Sequence, residues 1–345
     1  MDAKRRDIAP KLLDWYDRHR RDLPWRAAAG AAPDPYRVWL SEVMLQQTTV
    51  ATVRPRFAAW VERWPTFADL AAAPDEDVMG AWAGLGYYAR ARNLLAAART
   101  IARDHAGHLP DTEAALRALP GFGDYTAAAV AAIAFGRRAV VVDANVERVV
   151  ARLFAIRDPL PAGRRAIRAA ADTITPDARA GDFAQAMMDL GSAICTPRKP
   201  RCLLCPIAGD CDALAADTPE AFPVKKPKAA RPHRHGTIFW LERDGAVLLV
   251  RRPDKGLLGG MRALPTGAWS DAPPGLADAP TAADWRLLDE QVSHGFTHFT
   301  LDLALAVART HHAVNMGEWW PIARLDEAGL PTLFAKAADA VRRAG

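Results

Sequence analysis

The sequence predicts a mainly α-helical protein that carries a smaller α+β domain at its C-terminal end. Three observations point there. Apolar residues recur with helical spacing through roughly the first 216 residues, and little in that half alternates with period two. A Pro- and Lys-rich stretch then interrupts the pattern. Beyond it, strand-like alternation begins on both sides of Asp244-Gly245. With 345 residues the chain has room for two domains of about 100–200 residues each.

Taken in order, helix-period apolar positions occupy residues 38–45, 94–101, 127–135, 146–154 and 167–174, separated by short Pro- or Gly-marked breaks. Residues 218–228 (TPEAFPVKKPK) read as an extended linker. Residues 237–241 and 247–250 flank Asp244-Gly245, a two-strand hairpin signal. Phe299, Leu301, Leu303, Leu305 and Val307 alternate with small or polar residues, as in a half-buried strand. Residues 333–343 read as a closing helix. The expected boundaries are 1–216 for the helical domain, 217–233 for the linker and 234–345 for the α+β domain.

The composition, 50% hydrophobic and 25% charged, is ordinary for a globular chain. The formal charge of +5 is mild, so partner choice depends on where the charge sits. Basic residues crowd Arg198, Lys199 and Arg201 and the stretch 225–235. Such runs are usually solvated surface and by themselves support nucleic-acid binding only weakly. Residues 1–10 are charged and lack the apolar core of a signal peptide. The longest apolar run, 127–135, is too short to span a bilayer. A soluble, cytoplasmic protein in a reducing compartment, with no membrane partner, is expected.

All four cysteines, Cys195, Cys202, Cys205 and Cys211, fall in one short segment spaced C-x6-C-x2-C-x5-C. Gathering every thiol there argues against scattered disulfides. Structural zinc more often uses two short C-x2-C arms, and only one exists here. A single loop supplying four thiolates, with Pro206 directly after a ligand, fits an all-cysteine iron–sulfur cluster better. Zinc ranks second and disulfides third.

Two further segments carry chemistry. Gly121 and Gly123 in residues 119–126 (LPGFGDYT) allow a tight turn before an alanine-rich helix, whose first amides make an anion nest suited to a DNA phosphate. Alone, such a turn is usually just an interhelical connection. Asp143 follows three valines and precedes a helical pattern, so a helix cap explains it in isolation. Glu42 lies among Val38, Trp39, Val43, Met44 and Leu45. Apolar surroundings would raise its pKa, which suits a general acid near neutral pH. An exposed place on the polar edge of the helix would account for it equally well.

Taken together, the Leu-Pro-Gly-Phe-Gly turn, the Val-Asp pair and the cysteine loop resemble the helix-hairpin-helix DNA glycosylases that carry a 4Fe–4S cluster. Residues 39–48 (WLSEVMLQQT), 84–90 (GLGYYAR) and 183–191 (FAQAMMDLG) are similar to the adenine DNA glycosylases of the MutY type within that superfamily. The resemblance runs from about residue 23 to 211 and continues more loosely beyond. It implies a helix-hairpin-helix glycosylase fold, a 4Fe–4S cluster on the four cysteines, and a smaller Nudix-like domain. The helix-hairpin-helix would lie near 115–135 and the cluster loop at 195–211.

The resemblance also implies roles. Glu42 would protonate the adenine, and Asp143 would stabilise the charge developing on the sugar, two carboxylates divided as in glycoside hydrolases. Tyr125 stands where the strand-cutting lyase branch carries a lysine, so the monofunctional branch is implied. Asn145 and Arg26 match further active-site donors. Gln47 and Tyr87 match the wedge that fills the stack when a base is flipped out. Phe296, Thr297 and His298 match the loop that reads 8-oxoguanine. Residues 256–290 lack a full magnesium-binding Nudix box, so binding without hydrolysis is expected.

Three departures stand out: Thr297 stands where the family has serine, keeping the hydroxyl but adding a methyl, Ala144 replaces a glycine of the family, and Arg262 stands where many relatives have tryptophan. The implied partner is duplex DNA bearing an 8-oxoguanine·adenine or guanine·adenine mispair, bound by a monomer. An endonuclease III-like glycosylase-lyase acting on oxidised pyrimidines competes, as does a non-catalytic iron–sulfur DNA-binding protein. Tyr125 opposes the first, and the joint presence of Glu42, Asp143, Tyr125 and Asn145 opposes the second.

Overall fold

The structure, a computed structural model, describes residues 8–28, 30–226, 231–253, 256–296, 298–312 and 314–344. The chain divides into two compact units, Met1–Ala73 with Asn93–Pro227, and Pro74–Arg92 with Lys228–Gly345.

The first four helices are α1 (Ile8–His19), α2 (Pro35–Met44), α3 (Val50–Arg63) and α4 (Phe67–Ala72). Three of their starts are plain in the sequence. Asp34 accepts from the Tyr36 and Arg37 amides ahead of α2, Thr49 caps α3, and Thr66 with Asp69 forms a capping box on α4. Next come α5 (Asp75–Ala81), within the second unit, and α6 (Ala89–Asp104). The first unit continues with α7 (Glu113–Arg117), α8 (Asp124–Phe135), α9 (Ala144–Leu153), α10 (Arg164–Ile174), α11 (Ala180–Ala193) and α12 (Asp212–Ala215).

Helix α8 is the central element, buried at every position from Thr126 to Ile133. Its alanines leave room for neighbours to come close. A Cβ on Gly181 of α11 would lie 2.4 Å from the Ala132 carbonyl, so only glycine permits that approach. A core of Leu12, Tyr16, Val149, Ile167, Phe183 and Met187 joins α1, α9, α10 and α11.

The stretch expected as an extended linker is fastened to this unit over its first part. Pro219–Ala221 forms a 3-10 turn, Phe222 is buried, and the Leu160 amide donates to Val224 O at 2.8 Å. One apolar side chain and one backbone bond outweigh the linker-like composition.

The second unit holds a mixed sheet of β1 (His233–Arg243), β2 (Ala246–Arg251), β3 (Arg262–Ala263), β4 (Arg286–Gly295), β5 (Thr300–Arg309) and β6 (Glu318–Pro321). The order is β3-β2-β1-β5-β4, with β6 also paired to β2. The hairpin turns at Asp244-Gly245, both left-handed. Strands β1 and β5 run parallel, and β4 pairs antiparallel with β5. Helix α13 (Thr332–Ala344) covers one face, packing Leu333, Phe334 and Val341 against Ile238, Leu303 and Leu305.

Candidate active site and four-cysteine loop

Helix α2 is buried from Val38 to Met44, and this includes Glu42. The exposed-edge explanation of that glutamate is therefore excluded. Glu42 is 7% exposed, and desolvation lifts its carboxyl to about 7. Tyr125, at the start of α8, donates its hydroxyl to Glu42 Oε2 at 2.5 Å. This bond favours the ionised carboxylate and only partly offsets burial, while the Asp143 charge pushes the same way as burial. Glu42 lines a partly enclosed pocket whose apolar walls are Leu23, Trp25, Val50, Ile133 and Met188. Apolar walls joined by the polar groups of Ser41, Glu42 and Gln185 suit a flat heteroaromatic base.

Arg26 lines the same pocket. Its guanidinium forks onto Asp189, with bonds of 2.6 and 2.8 Å. Burial works against the Arg26 charge, but the Asp189 bond and charge outweigh it and leave the pKa above its ordinary value. Arg21 Nε reaches the same carboxylate at 2.5 Å. Asp189 is 1% exposed, so two arginines hold one buried acid in the manner a buried charge requires. The sequence reading missed Asp189, although it lies within residues 183–191. A carboxylate amid the apolar positions of a helix was the available signal. Gln185, a further pocket wall, carried no signal of its own.

Asp143 does cap α9, accepting from Val146 N at 2.7 Å through Oδ1. Its other oxygen accepts from Asn145 Nδ2 at 2.9 Å. The cap and the charge are thus not alternatives: the helix start fixes one oxygen and Asn145 the other. Ala144 begins α9 and is not among the left-handed residues, so its side chain is accommodated there. A Cβ on Gly191 would fall 2.6 Å from Asn145 Cβ, which makes glycine necessary for α11 to approach the site.

Arg148 joins this site to the cysteine loop. It donates to Asn145 Oδ1 at 3.0 Å, to Gly191 O at 2.5 Å and, through Nε, to Cys195 O at 2.7 Å. One turn further along α9, the buried Arg152 donates to Cys195 Sγ at 3.2 Å and to the carbonyls of Thr196 and Pro197. None of the four cysteines is paired in a disulfide.

The donor set suits a multi-iron cluster. Tetrahedral zinc at about 2.3 Å from each sulfur would hold the sulfurs about 3.8 Å apart. Among the described residues, the ligand atoms that converge within 4.8 Å are those of His233, His235 and Asp302, not of the cysteines. Thiolates bound to separate irons accommodate the wider spacing, and the adjacent arginines offset their charge. Burial pushes the Cys205 thiol up to about 12, so a bound metal is what would hold it as thiolate.

The turn between α7 and α8 is as expected at Gly121, which is left-handed (φ 74°) and packed on Asn93. Gly123 caps α8 in an extended conformation with open space around it. Gln47 and Tyr87 both adopt left-handed backbones, φ 56° and 47°. Tyr87 is 53% exposed. In the second unit, Phe296 packs among Trp269, Phe299 and His294, and its amide closes the β4–β5 loop on Phe299 O. His298 is exposed, and Thr297 lies outside the described residues. Arg262 pairs with Glu318 at 2.7 Å and lies over the Trp320 ring.

A buried acid in a pocket, a helix-capping aspartate and a four-thiol loop thus share one helical scaffold. Residues 40–173 match the HhH-GPD superfamily of base excision DNA repair proteins, 195–211 the iron–sulfur binding domain of endonuclease III, and 237–340 the NUDIX domain.

Adenine DNA glycosylases are similar to the chain along much of its length. That of Mycolicibacterium smegmatis is 44% identical over 58% of this chain and 68% of its own. The Buchnera aphidicola protein is 34% identical over 68% and 69%, and the human protein 40% identical over 75% and 57%. The alignments span less than two thirds of the human, mouse and rat proteins, 57%, 59% and 59%. The chain belongs to the adenine DNA glycosylase family, with its 4Fe–4S cluster domain at residues 195–211, the segment that holds all four cysteines.

Among solved structures, a thermostable thymine-DNA glycosylase matches with TM-score 0.55 and 32% identity, over 62% of this chain and 97% of its own. An endonuclease III–DNA complex matches with 0.51 and 25%, over 63% and 99%.

Proposed function

We propose that the chain removes adenine mispaired with 8-oxoguanine or guanine from duplex DNA, leaving an abasic site in an intact strand. The observation that carries this reading is the Tyr125–Glu42 bond, on an acid lifted to about 7 at a pocket wall. Near neutral pH an appreciable share of Glu42 is protonated and can give that proton to a purine ring nitrogen. The N-glycosidic electron pair then leaves with the base. The positive charge left on the sugar is met by Asp143, aimed by Asn145 Nδ2 and the Val146 amide of α9. Water adds at the sugar carbon, and the proton it gives up returns to the Glu42 carboxylate, which regenerates the acid. Tyr125 supplies no amine, so no Schiff base forms and the strand is not cut.

Gly121, Gly123 and the first α8 amides take a backbone phosphate. Gln47 and Tyr87 are the residues offered to the vacated stack. Residues 1–216 carry the chemistry. The segment from 234 reads the opposite base through Phe296, Thr297 and His298, without hydrolysis, after a 217–233 connection. The 4Fe–4S cluster, when bound, cross-links the loop that Arg148 and Arg152 hold. The protein acts as a monomer in the cytoplasm; among the described residues no helix is long and apolar enough to cross a membrane. Glu42→Gln tests the assignment: it should bind a mispaired duplex like the parent and release adenine roughly a hundred- to ten-thousand-fold more slowly. Release near the parent rate would remove Glu42 as the acid.

A further inference from the structure

The β sheet of the second unit places two histidines and an aspartate together on one face. His233 and His235 lie two apart on β1 and so point the same way. In the parallel register with β5, His233 faces Thr300 and His235 faces Asp302. Across the next ladder Asp302 faces Ser293 of β4. One ligand atom from each of His233, His235 and Asp302 falls within 4.8 Å of the others, and the two imidazoles are 4.6 Å apart between centroids. Arg234, between the histidines, is engaged with Asp271 at 2.7 Å.

The outer atoms of this trio are also arranged. His233 presents Nε2 to Asp302 Oδ2 at 2.9 Å, while its Nδ1 lies 2.9 Å from Thr300 Oγ1. Asp302 uses its other oxygen to accept from Ser293 Oγ at 2.6 Å. An imidazole whose far nitrogen is hydrogen-bonded, beside a carboxylate whose far oxygen is hydrogen-bonded, is the outer support that orients metal ligands. A bare surface ion pair needs neither the second histidine nor the two hydroxyls.

We infer that His233, His235 and Asp302 form a zinc-binding site, separate from the cysteine loop. Two imidazoles and one carboxylate suit zinc, with the fourth, solvent-facing position left to water. The ion takes the place of the proton between His233 and Asp302, and each histidine binds as neutral imidazole. It ties the first residues of β1 to the first residues of β5, directly after the loop that carries Phe296 and His298.

Calorimetric titration of the iron-replete holo-protein with zinc chloride at pH 7.5 tests this. One zinc should bind per chain with the cluster absorbance unchanged, and His235→Ala and Asp302→Asn should each weaken binding at least about tenfold. Zinc-edge X-ray absorption on the unmodified protein gives a reading independent of how the variants fold. It should show nitrogen and oxygen neighbours at about 2.0–2.1 Å with imidazole outer shells. Absence of saturable zinc binding, equal binding in both variants, or sulfur neighbours at about 2.3 Å would overturn the assignment.

Discussion

The Tyr125 hydroxyl donates to Glu42 Oε2 across 2.5 Å, and this contact aims the buried carboxyl and moderates its proton affinity. Burial raises Glu42 to about 7, and the Tyr125 bond opposes that rise by favouring the ionised form. Tyr125→Phe keeps the ring and deletes the bond, so Glu42 should hold its proton to higher pH. Single-turnover adenine release between pH 5 and 9 should show an alkaline limb displaced upward from the parent's. An unmoved limb would mean the phenol does not tune the acid.

The same residue ties function to stability. The folded chain keeps the Glu42 proton up to about 7, whereas an ordinary glutamate loses it near 4.5. Between those values the native state binds more protons than the unfolded one, so this group's contribution to stability falls as pH rises. Glu42→Gln removes the buried charge. Its melting temperature should exceed the parent's at pH 8 and approach it at pH 5, while excision drops roughly a hundred- to ten-thousand-fold.

Asp143 performs two tasks that substitution can separate. Asparagine caps helices about as well as aspartate, whereas alanine costs about 1 kcal/mol. Asp143→Asn should therefore keep most of the melting temperature and lose excision. Asp143→Ala should lose both. If the asparagine variant excised adenine normally, the cap alone would explain the residue.

Arg148 spans Asn145, Gly191 and Cys195 with one guanidinium. Lysine cannot reach three acceptors in that fork. Arg148→Lys should lower single-turnover excision and reduce iron retained per chain during gel filtration. Full iron content with full activity would show that the cysteine loop and the Asp143–Asn145 pair are independent.

Local chemistry made much of this legible. The α8 alanines, the Asp244-Gly245 turn, the alternation of β5 and the cysteine spacing each signal themselves within a few residues. The contacts that went unread are long-range. Arg26 and Asp189 are separated by 163 positions, and nothing near either one names the other. Strand β4 was missed because it is largely exposed, with Val292 its one buried residue, so it shows no apolar alternation. The parallel β1–β5 pairing, and with it the His233–His235–Asp302 trio, exists only once the register is known. The family resemblance suggested roles for Glu42 and Asp143 that periodicity could not; the geometry adds why each suits the proposed role.

The most direct test is single-turnover base release by the unmodified holo-protein from duplexes holding adenine opposite 8-oxoguanine, guanine or thymine, resolved with and without hot alkali. Adenine should be released from the first two duplexes, faster opposite 8-oxoguanine, with strand scission appearing only after alkali and no borohydride-trapped adduct. Scission without alkali, a trapped adduct, or release of an oxidised pyrimidine in place of adenine would contradict the account.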